Sequence, residues 1–149
     1  DTLHLGFARA ADVLEHHALC LFGTDEFTRS VASRMSNLAL ATNPASKIVS
    51  ANSLLVAPDD AMLLVHIVVP NESEARAVPR VTFEDEGTLA LRLETAIEAA
   101  FRTKPPRVSL ELPGTVWEDA GAGRSAQHFA ITLLDALCTA LLHREEETK

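Results

Sequence analysis

Residues 62–69 read Met-Leu-Leu-Val-His-Ile-Val-Val, an apolar run broken only by His66. In an extended chain alternate side chains point to opposite faces. Leu63, Val65, Ile67 and Val69 therefore share one face, and Met62, Leu64, His66 and Val68 share the other. A strand that is apolar on both sides belongs at the centre of a sheet with cover above and below. A second apolar run, 48–56, precedes it, and Ala57-Pro58-Asp59-Asp60 between the two carries residues that favour tight turns. Together the two runs read as an antiparallel hairpin.

The remaining pattern arranges itself around that hairpin. Residues 2–7 alternate, with Leu3, Leu5 and Phe7 on one side, as in a short strand. Residues 8–22 turn to helical spacing through Ala11, Leu14, Ala18, Leu21 and Phe22. Gly23 is placed to end that helix and Thr24 to cap the next, 24–42, whose stripe is Phe27, Val31, Met35 and Leu38. A helix over 84–101 shows Leu89, Leu93, Ala96, Ile97 and Ala100 on one face. Beyond Pro105-Pro106, residues 107–112 alternate again, with Val108, Leu110 and Leu112 inward and Ser109 and Glu111 outward. A last helix, 125–143, carries a broad stripe of Phe129, Leu133, Leu134, Leu137, Leu141 and Leu142. With the first two helices merged and the last set aside, the order becomes β-α-β-β-α-β. That order predicts an α+β fold: an antiparallel four-stranded sheet with helices packed on one face, plus a C-terminal helix. The expected division is a sandwich domain over 1–114 and a helical extension over 115–149. The extension either docks on the same domain or opens a following repeat, and it ends in a charged tail.

A chain of 149 residues, 47% apolar and 23% charged, suits one globular domain that needs no disulfide or metal to hold its core. The net charge of −8 and the scatter of the 13 Lys and Arg argue against a nucleic-acid partner, which calls for clustered cations. The same charge opposes attraction to anionic lipid headgroups, and no apolar run is long enough for membrane insertion as a spanning helix. Cys20 and Cys138 fall in apolar, helix-patterned stretches. They read as small buried hydrophobes in a reducing, cytoplasmic setting rather than as disulfide partners. A chain beginning at Asp1 reads as a piece excised from a longer protein or as a processed chain.

The element order resembles the ferredoxin-like sandwich and its relative, the SEA domain. Two stretches carry the likeness further. Leu3-His4-Leu5, followed by Asp12-Val13-Leu14 and Phe27-Thr28-Arg29-Ser30-Val31-Ala32, looks like the opening of SEA-like repeats found in large cytoskeletal and membrane-associated proteins of flagellated protozoa. Leu110-Glu111-Leu112-Pro113-Gly114-Thr115-Val116-Trp117 looks like a second such opening. The resemblance implies an interaction or spacer module and supplies no chemistry. Some SEA domains cleave themselves at a Gly-Ser pair; here Asn52-Ser53 stands at the nearest match, and Asn lacks the conformational freedom that the strained turn requires.

Each polar cluster has a structural reading that outweighs a catalytic one. His16 and Cys20 share a helix face at i, i+4, but zinc needs further ligands and only His4 and Glu15 are near in sequence. Cys138 and His143, five apart, point to different helix faces and form no nucleophile–base pair. Asp59-Asp60 and Glu84-Asp85-Glu86 sit at a turn and a helix start, where acids have structural reasons to be. Gly121 and Gly123 lack the preceding strand and third glycine of a dinucleotide site. The expectation is therefore a non-enzymatic protein–protein interaction or architectural module, with no catalytic residue, metal or cofactor. Its partner would be a homodimer copy, a neighbouring repeat or an unknown protein, and its candidate interface residues are Leu64, Val68, Trp117, Phe129, Leu134, Leu137 and Leu141. The alternative is a small ligand-binding or enzymatic domain with a pocket between the sheet and the C-terminal helix, to which a cavity lined by His66, Met62 and Leu64 would point.

Overall fold

The computed structural model describes residues 7–51, 62–68, 80–82, 86–102, 106–112 and 123–147. In chain order these form α1 (Phe7–His16), β1 (Leu19–Gly23), α2 (Glu26–Thr42), β2 (Ile48–Ala51), β3 (Leu63–Val68), β4 (Arg80–Thr82), α3 (Glu86–Ala100), β5 (Arg107–Glu111) and α4 (Gly123–Glu147). The strands make one five-stranded sheet in the order β2-β1-β3-β5-β4. Every pairing in it is parallel.

The fold is α+β, as the sequence predicts, and its described helices share one face, but the antiparallel sheet is overturned. The runs expected to pair with each other do not touch as a hairpin: β1 lies between β2 and β3, with Leu21 opposite Ser50 on one side and Val65 on the other. The turn at Pro58-Asp59-Asp60 lies outside the described residues. Turn chemistry is local and does not determine which strand a run joins. What does is the need to cover β3, all six residues of which are buried. A central position between two parallel neighbours pairs both backbone edges of β3, and near-continuous apolar runs are what the strands of parallel sheets carry. The split β-α-β-β-α-β topology falls with the antiparallel sheet.

The amino-terminal assignments shift for a related reason. Phe7 opens α1, while 1–6 lie outside the described residues. The expected helix over 8–22 stops at His16, and Leu19–Gly23 is a strand. In that short apolar stretch Leu21 fits a helical stripe and a strand alternation equally well, and the chance to pair on both edges decides for the strand. The three-residue β4 was not expected at all. Helix α4 runs longer than the predicted 125–143.

One core holds the layers together. Leu19, Leu21, Leu63, Val65, Ile67, Val108 and Leu110 face Val31 and Met35 of α2, Leu93 and Ile97 of α3, and Leu133 and Leu137 of α4, with Val13 and Leu14 of α1 in the same cluster. Crossovers β1-α2-β2 and β4-α3-β5 step in the same direction along the sheet. Two crossovers of the same hand and direction place their helices on the same face. α4 packs between α2 and α3 and also meets α1. Polar contacts fix its ends: Arg34 Nη1 donates to Gln127 Oε1 at 3.1 Å, and Arg144, stacked 4.4 Å over the Phe101 ring, meets Glu98 at 3.1 Å. The C-terminal helix thus docks on this domain. Among the described residues, no helix is long and apolar enough to cross a membrane.

Candidate functional site

Alternation along the strands sends a second set of side chains to the face away from the helices. Cys20 and Phe22 leave β1 on that side, Leu64, His66 and Val68 leave β3, and Arg107, Ser109 and Glu111 leave β5. The parallel register aligns Phe22 with His66 and His66 with Ser109, so three strands contribute one row. The Phe22 and His66 rings meet edge to face, 5.5 Å between centroids at 72°. His66 is 2% exposed and Ser109 1%. One step toward the amino ends, Cys20, Met62 and Leu64 form a small apolar cluster with Ala18.

Two hydroxyl oxygens at this end of the sheet are buried with no hydrogen-bond partner among the described residues: Ser109 Oγ and, just past β1, Thr24 Oγ1. A buried polar atom left unpaired costs about 1–3 kcal/mol, so native structures leave few of them without a reason.

This row lies just below the place where the strand order reverses. From β1 the chain crosses to β2 on one side, and β3 then lies on the other side of β1. Open parallel sheets bind ligands in the crevice outside the carboxyl ends of two such strands. Here those ends carry Gly23 and Val68. Gly23 is required by packing: a Cβ there would lie 2.3 Å from Arg29 N and 2.4 Å from the Thr28 carbonyl carbon. The absent side chain lets the first turn of α2 rest directly on the end of β1, one of the uses of glycine in strand–helix turns.

That turn is closed to anions. The Thr28 N–H donates to Asp25 Oδ1 at 2.8 Å, the Asp25 N–H donates to Thr28 Oγ1 at 3.0 Å, and Thr28 Oγ1 donates to Asp25 Oδ1 at 2.7 Å. The cap is Asp25 rather than the expected Thr24. In phosphate-binding turns the helix N–H groups and their positive dipole end point at the ligand. Here a carboxylate already holds that position, and Glu26 adds a second negative charge.

Both cysteine thiols are shifted away from the thiolate form. Burial pushes the Cys20 thiol up, and burial, with the Asp135 carboxylate adding to it, pushes the Cys138 thiol up to about 12. Thiol chemistry needs the thiolate, which these settings suppress. Cys20 sits on a strand and not on a helix face with His16, which removes the expected i, i+4 pair. His143 Nδ1 lies 3.5 Å from Glu94 Oε2. Among the described residues, no three His, Cys, Asp or Glu converge as a metal site.

The candidate interface residues divide between the two faces. Leu134, Leu137 and Leu141 are buried in the helix-side core, and Phe129 packs against that core, 6.5 Å from the Phe27 ring. Leu64 and Val68 are buried on the opposite face. Trp117, the Asn52-Ser53 pair and Asp59-Asp60 lie outside the described residues. Alternation within 107–112 places Ser109 on the outward side, which hides the Phe22–His66–Ser109 row in the sequence; in the structure that outward side is buried, with Ser109 1% exposed. Searches against family models, curated proteins and solved structures find no match for the chain.

Proposed function

We propose that this chain is a small-molecule-binding domain whose ligand sits at the carboxyl ends of β1 and β3, over the row Phe22, His66 and Ser109. The observation that carries this reading is the reversal of strand order between β1 and β3 in an all-parallel sheet. The buried hydroxyls of Thr24 and Ser109 add hydrogen-bonding groups that the described residues leave unused. Asp25 and Glu26 favour an uncharged or cationic ligand over a phosphorylated one. The interaction-module reading has less to draw on, because Leu134, Leu137 and Leu141 are already used inside the core of a single chain.

The test is a thermal-shift screen of uncharged, cationic and phosphorylated small molecules, followed by backbone amide NMR of the compounds that stabilise the chain. Stabilising compounds should be uncharged or cationic and should move the amides of Phe22, Gly23, Thr24, His66 and Ser109. Titration with inorganic phosphate should leave the amides of Thr24 to Thr28 in place. A screen whose stabilising compounds move only outer helix residues would overturn the site, and a phosphate response at Thr24 to Thr28 would overturn the charge preference.

A further inference from the structure

We draw no further inference here: the strongest candidate outside the site already described, the edge of the sheet along β2, where Val49 is 40% exposed, has no strand partner among the described residues and nothing in the structure shows what covers it.

Discussion

The two faces of the sheet are built from the same strands and nearly the same residue types, yet they differ in what they contain. On the helix face the strands contribute aliphatic residues: Leu21, Val65, Ile67 and Leu110 meet aliphatic side chains from the four described helices in one cluster. The opposite face mixes an apolar patch, Cys20, Met62 and Leu64, with a histidine and a serine that are just as deeply buried. A face that only had to exclude water would gain from replacing Ser109 with an aliphatic residue, since its buried hydroxyl has no hydrogen-bond partner among the described residues and unpaired buried polar groups cost free energy. The difference separates a face whose buried strand residues are aliphatic from one on which the strands bury a histidine and a serine.

Gly23 lies at the end of β1, where the helix layer meets the carboxyl edge, and should give the largest effect. Gly23→Ala drives a methyl into the backbone of Thr28 and Arg29 and cannot be relieved by a rotamer change. The expected loss is at least about 3 kcal/mol in urea denaturation, at the severe end for overpacking. A variant as stable as the parent would show that α2 does not rest on β1 in this way.

Truncations on the two faces come next. Leu137→Ala, in the centre of the large cluster, should cost about 3–5 kcal/mol, and Leu64→Ala, in the small one, about 2–3 kcal/mol. Among the described residues Leu64 belongs to the smaller cluster. Equal losses in chemical denaturation would break the distinction between the faces.

The mixed helix and strand content and the central place of Leu63–Val68 were legible, because a nearly unbroken apolar run leaves few alternatives. The direction of pairing was not. The same run is as much a mark of a parallel sheet as of a covered antiparallel one, and Pro58-Asp59-Asp60 drew the reading toward a hairpin. Leu19–Gly23 was hidden because five residues are too few to separate a period of two from one of 3.6. The row at the candidate site was hidden for a third reason: Phe22, His66 and Ser109 are far apart in sequence, and only the register of three strands brings them side by side.

The cysteines place one thiol on each face. On the helix side the Cys138 pKa is raised, to about 12 from 9.0. The folded state therefore holds the proton more tightly than the unfolded chain. The associated stability is fully present below about pH 9 and is lost as pH climbs toward 12, by about 1.4 kcal/mol per unit and about 4 kcal/mol in all. Comparing Cys138→Ala with the parent between pH 8 and 11 should show a shallower alkaline decline in the variant; parallel declines would remove Cys138 as the cause. In pulsed labelling with a thiol reagent at neutral pH, Cys138 should react only on global unfolding, whereas a ligand at the carboxyl edge should slow Cys20 beyond its effect on Cys138.

The smallest expected change in stability discriminates most directly between the faces. Ser36 on α2 and Ser109 on β5 are both buried, 7% and 1% exposed, and the side-chain oxygen of each has no hydrogen-bond partner among the described residues. Removing an unpaired buried hydroxyl is close to neutral or slightly stabilising. Ser36→Ala should also gain about 0.5 kcal/mol from helix propensity. Both variants should therefore fold with melting temperatures at or above that of the parent. Their ligand responses should separate. If Ser109 offers its hydroxyl to a bound molecule, Ser109→Ala loses one hydrogen bond worth about 1 kcal/mol and binds about fivefold more weakly, while Ser36→Ala binds as the parent does. Isothermal titration with a compound from the screen reads both numbers. Equal affinities across the three proteins would mean that Ser109, like Ser36, is only a buried hydroxyl, and that the polar row contributes nothing to binding.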